Sequence, residues 1–312
     1  VKKGTLIEKV TTGNDGMAKF TADLPLGFSY DVKEVQAPEG YLRNADDVYT
    51  FTFSYTNDKE AKLTFKHTFR NERVIAKISL QKQDKETKKA VPQGDATLEK
   101  AVYGLYARED IVHPDGATGV IYKAGEQVAT LTTDKNGQAS VDGLYLGNYY
   151  VKEITPPTGY LADEEEHDLV CNYEGDLVAE VKRDCLSLEQ VMKQPFEIIK
   201  AANNGKTDAD LLKGAGFTAY LVSSLTVKED GSYDFDSVKP VVIGENGATE
   251  IFTDEKGYAR SIALPYGTYI VRETTTPHNY TPVNDFIVQI TENHPTTCLL
   301  YTSPSPRDRT RS

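Results

Sequence analysis

The distribution of apolar residues along the chain predicts β-strands. Short segments alternate apolar and polar residues, as in 78–82 (ISLQK), and turns rich in Asp, Asn and Gly separate them, as at Asn136-Gly137. The period of an amphipathic helix is weak throughout the chain. Strands joined by such turns form hairpins, so we expect an all-β protein with antiparallel sheets.

One sequence pattern occurs three times and divides the chain. Each copy has a Leu-x-x-Gly-like turn, a strand that ends in basic-Glu, and a Pro-containing loop that ends in Tyr. The copies are 24–41 (LPLGFSYDVKEVQAPEGY), 144–160 (LYLGNYYVKEITPPTGY) and 264–280 (LPYGTYIVRETTTPHNY). Their glutamates lie 119 and 120 residues apart, which is the length of a whole domain, so three related domains are predicted.

The predicted domains are tandem Ig-like sandwiches without the Cys and Trp of an immunoglobulin core. Residues 74–193 form a complete domain, 1–73 the C-terminal part of another, and 194–297 a third that lacks its C-terminal end. Residues 298–308 (CLLYTSPSPRD) resemble the translation of a sequencing adapter, so we expect the tail 298–312 to lie outside the fold. A natural linker rich in Ser, Pro and Arg is the alternative.

Composition excludes several classes of function. The formal charge of −12 opposes binding to nucleic acid, and the chain has no apolar run of about 20 residues that would span a membrane. Three cysteines do not make a disulfide framework, and five scattered histidines form no enzyme signature. The acidic run 163–168 (DEEEHD) would suit a hard cation but is typical of a solvated loop, so no metal or cofactor is predicted.

Strand alternation places ionisable side chains on the apolar faces of strands. Lys82 shares a face with Ile78 and Leu80, and Glu153 shares a face with Val151. The same reasoning applies to a further set, namely Glu34, Asn71, Lys200 and Glu273. A buried lone charge costs several kcal/mol unless it is paired or neutralised, so these groups need partners.

Lys, Glu and Asn together form a reactive set. A desolvated lysine becomes a nucleophilic amine, and a buried protonated glutamate can polarise an amide carbonyl and transfer protons. Groups held in contact can react without an external enzyme. Two structural alternatives exist, because an inward Glu also serves as an acceptor for loop amides and a Lys at a strand end also extends its ammonium to water.

The repeated segment resembles the E-box of Gram-positive pilins, within the family of SpaA-type and collagen-adhesin B-type domains. The resemblance covers nearly all of residues 1–297, although Asn279 replaces the loop glycine of the third copy. It implies a transthyretin-like sandwich and, in many members, an intramolecular isopeptide bond.

The resemblance also implies roles for the inward residues. Lys82 would be the nucleophile and Glu153 the acid of the second domain, and Lys200 and Glu273 would serve the third. In the first domain Asn71 would be the acceptor and Glu34 the acid, with the lysine expected before residue 1. The acceptor of the third domain is expected beyond the tail.

The acceptor of the second domain is ambiguous in sequence. Asp184 is the candidate we select, which would make a Lys–Asp bond, but it lies 16 residues before Lys200. Asn71 lies 11 residues before Lys82, and Glu189 occupies that 11-residue position before Lys200. A second domain that never cross-links is the alternative.

These observations predict a structural stalk or adhesin segment on the outside of a Gram-positive cell, and not an enzyme. Sortase and peptidoglycan would be partners through a C-terminal signal lost from the fragment. The alternative is a module without cross-links that binds host matrix protein or carbohydrate, with contacts in the insertion 110–128 of the second domain. An enzyme would need a catalytic domain upstream of residue 1.

Overall fold

The structure is a computed structural model that describes residues 2–55, 63–202, 210–291 and 298–302, the last five by their backbone alone. Unit 1 contains Val1–Val74 and Tyr173–Ala179, and unit 2 contains Ile75–Asn172 and Glu180–Ser312. The secondary structure of the described residues consists of strands and two short 3-10 helices, which confirms the predicted all-β class. None of the described helices is long and apolar enough to cross a membrane.

Unit 1 is built on two antiparallel strand pairs, β1 with β3 and β2 with β4. The strands are β1 (Phe28–Lys33), β2 (Tyr41–Leu42), β3 (Val48–Phe53) and β4 (Glu72–Arg73). Aromatic rings stack along this unit, as at Phe51 and Phe65, whose ring centroids are 4.5 Å apart. Tyr173–Ala179 joins the unit through Asp176, which accepts a hydrogen bond of 3.1 Å from the Ala37 amide.

The first part of unit 2, which we name the middle domain, has two sheets with strand orders β10-β5-β13 and β12-β11-β6-β9. The strands are β5 (Ile75–Asp84), β6 (Val102–Ala107), β7 (Ile111–Val112), β8 (Val120–Tyr122), β9 (Gln127–Thr132), β10 (Gln138–Leu144), β11 (Gly147–Thr155), β12 (Glu166–Cys171) and β13 (Glu180–Glu189). Every second residue is buried in β5, as at Ile78 and Leu80, and in β11, as at Tyr149 and Val151. Each sheet therefore has one apolar face, and the two faces form the core.

The remainder of unit 2, which we name the third domain, repeats this arrangement. Its strands are β14 (Lys193–Gln194), β15 (Phe196–Ala202), β16 (Asp210–Leu211), β17 (Gly216–Leu221), β18 (Thr226–Val227), β19 (Tyr233–Asp234), β20 (Glu250–Phe252), β21 (Tyr258–Arg260), β22 (Leu264–Pro265), β23 (Gly267–Thr275), β24 (Phe286–Ile290) and β25 (Cys298–Thr302). The 3-10 helices are Val222–Ser224 and Glu245–Gly247. One sheet has the order β16-β15-β21 with β25 beside β15, and the other has the order β20-β17-β23-β24. Phe196, Phe217, Val271 and Ile290 lie in the core between them.

Two strand pairs differ from the antiparallel prediction. β13 runs parallel to β5, and β25 runs parallel to β15. Each pair joins the beginning of a domain to its end, and no hairpin turn encodes such a pairing. The tail also differs from expectation, because Cys298–Thr302 pairs in register with Phe196–Lys200 and gives the edge of β15 a partner. Residues 303–312 lie outside the described part of the chain.

Two glycine turns fix the ends of the lysine-bearing strands. The Lys82 amide donates to the Gly137 carbonyl at 2.8 Å, and the Lys200 amide donates to the Gly257 carbonyl at 2.7 Å. Gly137 has φ +72°, and a Cβ there would lie 2.8 Å from the Lys82 carbonyl oxygen. Only glycine combines this left-handed backbone with such close contact, so the turn sets where β5 presents Lys82.

Candidate cross-linking site

Lys82 lies in the core of the middle domain with no exposed surface. β5 places it on the same buried face as Ile78 and Leu80. Its Nζ lies 5.7 Å from the centroid of the Tyr103 ring and 5.5 Å from that of Tyr160. Because the ammonium has no access to water, groups within the core must balance its charge.

Glu153 supplies the first balancing group from the facing strand β11. Its Oε1 accepts a hydrogen bond from Lys82 Nζ at 3.2 Å, and its Oε2 accepts one from the Asp163 amide at 2.8 Å. The side chain of Glu153 is 1% exposed. The ion pair therefore connects the two sheets and also fixes the loop that precedes β12.

Glu189, at the end of β13, supplies a second buried carboxylate in direct contact with Lys82 Nζ. Its Oε1 accepts hydrogen bonds from the Tyr103 hydroxyl at 2.6 Å and the Ser187 hydroxyl at 3.2 Å. Its Oε2 is buried and has no hydrogen-bond partner among the described residues. Lys82 thus lies between two carboxyl groups, one from each sheet.

Burial shifts the ionisation of this cluster. Loss of solvent lowers the pKa of Lys82 to about 8, although attraction to Glu153 opposes the shift. Loss of solvent also raises the pKa of Tyr103 well above its ordinary range, so its hydroxyl stays a donor. One ammonium and two carboxylates would leave a net negative charge in the core, whereas one added proton makes the set neutral. Burial thus brings Lys82 closer to its neutral, nucleophilic form than an exposed lysine.

Asp184 lies away from this cluster. It is exposed and pairs with Ser79 in the ladder between β13 and β5. The alternation of β13 directs Ser187 and Glu189 inward, and residue 184 takes the opposite face. The structure therefore does not bring the acceptor selected from sequence to Lys82.

The third domain has an equivalent ion pair with different surroundings. Lys200 Nζ lies 2.7 Å from Glu273 Oε2, and their side chains are 4% and 0% exposed. The same Oε2 accepts a hydrogen bond of 2.8 Å from the Val283 amide, ten residues along the chain, as Glu153 does from Asp163. Phe217 stands opposite Glu273 where Tyr103 stands opposite Glu153, so this site has no corresponding hydroxyl.

The first domain brings its two predicted residues together. The Asn71 side-chain amide donates to Glu34 Oε2 at 2.6 Å and to the Leu42 carbonyl at 3.0 Å. The two residues are therefore neighbours, and the contact joins the amide nitrogen of Asn71 to the carboxyl group of Glu34.

The acidic run after Tyr160 forms a small cluster without evidence of a ligand. Potential donor atoms of Asp163, Glu165 and His167 lie within 4.8 Å of one another. Hydrogen bonds inside the cluster, such as that of 3.1 Å between His167 Nε2 and Asp163 Oδ2, account for the arrangement. We assign no metal to it.

The sequence interpretation missed the two hydroxyl groups of the site. Tyr103 resembles an ordinary core aromatic of β6, and Ser187 resembles a polar residue of a half-buried strand. The spacing of 11 residues before the next lysine was the available signal for Glu189.

A sequence profile of SpaA, a prealbumin-like fold domain, matches residues 1–68, 76–184 and 195–302. The chain belongs to the SpaA domain family. The three matched segments account for most of the chain, which confirms the family resemblance and the tandem prealbumin-like architecture. No curated protein sequence matches the chain.

Solved structures support the same fold. The chain is similar to the Bacillus anthracis TIE protein, with 23% identity and a TM-score of 0.58 over 96% of this chain. It spans 45% of the length of that protein. The chain also matches a streptococcal ancillary pilin, with 20% identity and a TM-score of 0.28 over 91% of this chain and 77% of that chain. It matches GBS52, a minor pilin of Streptococcus agalactiae, with 18% identity and a TM-score of 0.27 over 76% of this chain and 100% of that chain.

Proposed function

We propose that this chain is a structural stalk or adhesin segment of a Gram-positive surface protein, stabilised by isopeptide bonds that form without an enzyme. Membership of the SpaA family supports a location outside the cell and attachment to the cell wall. Three tandem domains of this one family favour a structural role over a catalytic role.

The observation that carries this proposal is the buried Lys–Glu ion pair, which occurs at equivalent strand positions in two successive domains. Apolar residues of similar volume are often as stabilising as a buried ion pair, so the pair by itself is a poor stabilising device. A covalent bond from Lys82 on β5 to β13 would tie the first strand of the middle domain to its last. Like a disulfide it would constrain the unfolded chain, but reduction would not open it.

The test is the intact mass of the full chain under denaturing and reducing conditions. We expect the wild-type mass to fall below the sequence mass by one small molecule, water for a carboxyl acceptor or ammonia for an amide. Lys82→Ala and Glu153→Ala should show their full calculated masses. A folded wild-type chain with an unshifted mass would contradict bond formation at the natural middle-domain site.

A further inference from the structure

The register of β13 against β5 identifies the side chain that faces Lys82. Ser187 is the direct partner of Lys82 in this parallel ladder, and Glu189 follows two residues later on the same buried face. In sequence, Glu189 lies 118 residues after Asn71, the spacing that also separates Lys82 from Lys200. Glu189 thus occupies in the middle domain the place that Asn71 occupies in the first.

We propose that Glu189 is the acceptor of Lys82, so that the middle domain forms a Lys–Glu amide in place of a Lys–Asn or Lys–Asp bond. This inference rests on the proposed function, because it assigns one partner of the same cross-link. It replaces Asp184, which lies on the exposed face of β13.

The surroundings of Glu189 fit a carboxyl group that reacts. The Tyr103 and Ser187 hydroxyls contact Oε1 at 2.6 and 3.2 Å, where they stabilise the negative charge that develops on this oxygen during attack. Oε2 is buried without a hydrogen-bond partner among the described residues, so its departure breaks no hydrogen bond to them. Glu153 lies on the other side of Nζ, at 3.2 Å, in position to transfer protons.

The reaction is a condensation that balances without an oxidant or cofactor. The neutral Lys82 amine attacks Cδ of protonated Glu189, a C–N bond forms, and the bond from Cδ to Oε2 breaks. Glu153 takes a proton from Nζ and delivers a proton to the departing oxygen, which leaves as water. Oε1 becomes the amide oxygen and keeps its contacts with Tyr103 and Ser187. The neutral amine and the protonated acid together contain the same atoms and net charge as an ammonium and a carboxylate. Either pair gives one amide and one water.

The third domain differs from the middle domain at the position of Tyr103. Phe217 occupies the position of Tyr103, and the described residues within ion-pair distance of Lys200 include one acid, Glu273. A carboxylate acceptor at Glu189 thus coincides with a buried phenol that donates to it.

The experiment is intact-mass and peptide-mapping spectrometry of the full chain, with folding checked by circular dichroism. Wild type should lack one water, and digestion should yield one branched peptide that joins Lys82 to Glu189. Glu189→Gln should lack one ammonia, because its leaving group is an amide nitrogen. Glu189→Ala should show its full mass, whereas Asp184→Ala should still lack one water.

The outcomes separate this inference from the proposed function. A wild-type water loss that maps to another acceptor would overturn the Glu189 assignment and leave the cross-linking function intact. If the wild-type mass is unshifted but Glu189→Asn loses one ammonia, Lys82 and Glu153 are able to form a bond with an amide at position 189 but not with glutamate. That result would overturn the Glu189 assignment. Full masses for wild type, Glu189→Gln and Glu189→Asn, all folded, would overturn both proposals in this domain.

Discussion

Replacing Lys200 with Met should strongly destabilise the third domain. The substitution keeps a long unbranched side chain and removes the charge that faces Glu273. In the wild type, Lys200 Nζ lies 2.7 Å from Glu273 Oε2. Glu273 would stay fully buried with the Val283 amide as the donor to Oε2, while its Oε1 already lacks a partner among the described residues. No second acid lies within ion-pair distance of Lys200 in the described part of the chain, so the effect reports on a single pair.

The expected magnitude follows from this burial. Removal of one partner of a buried ion pair costs about 3–5 kcal/mol, which raises the opening constant of the domain roughly 150- to 4,000-fold. Replacing both partners, as in Lys200→Met with Glu273→Leu, should recover part of that loss because no charge is left buried.

Native-state hydrogen exchange of peptides from β23 in the full chain measures this opening locally. Lys213→Met is the matched control, because Lys213 pairs with Glu255 while their side chains are 63% and 78% exposed. Loss of such an exposed pair costs about 0–1 kcal/mol. A Lys200→Met effect as small as that of the control would refute the reasoning, since it would mean that Glu273 carries no uncompensated charge.

Three further predictions concern the middle domain. A left-handed backbone costs a non-glycine residue about 1–2 kcal/mol. Gly137→Ala should lower the free energy of unfolding of the domain by more than this, measured by denaturant unfolding, because its Cβ would also meet the Lys82 carbonyl oxygen. Gly125 is also left-handed but has open space around it, so Gly125→Ala should show the backbone cost alone. Tyr103→Phe should slow the loss of water from newly synthesised chain by about 100-fold, followed by mass spectrometry at intervals after cell-free synthesis, whereas Tyr106→Phe should not change this rate. In Glu189→Ala, Lys82 is not cross-linked and its burial persists, so its pKa in the folded state should stay below the ordinary value of 10.5, as in the wild-type site, where it is about 8. The unfolded state then binds more protons between these values, so stability should rise with pH from about 8 and stay constant below it, and the added Lys82→Met substitution should remove this rise.

The sequence predicted the features that depend on local pattern. Alternation within β5 and β11 identified Lys82 and Glu153 as inward-facing, because strand geometry alone decides which face a side chain takes. The repeat length identified the tandem domains for a similar reason, since each copy carries its own turns and strands.

The parallel strand pairs and the residue opposite Lys82 depend on non-local register. β13 lies about 100 residues after β5, and no turn between them fixes which of its residues meets Lys82. The sequence interpretation chose Asp184 as the acceptor by its residue type, whereas the strand ladder brings Glu189 into contact with Lys82. Tyr103 gave no signal because a buried phenol and a buried phenyl ring occupy the same position in a strand pattern.

A comparison of the domains suggests that two positions determine the chemistry of the cross-link. Asn71 in the first domain is neutral and contacts its glutamate directly, whereas Glu189 in the middle domain adds a second carboxyl group to the core. That carboxyl group needs a buried donor, and Tyr103 provides one where the third domain has Phe217. The residue at the acceptor position (Glu189) and the hydroxyl of Tyr103 therefore depend on each other energetically. Glu189→Asn combined with Tyr103→Phe should perturb folding less than Tyr103→Phe alone, since an amide acceptor no longer requires the phenol to offset a buried negative charge.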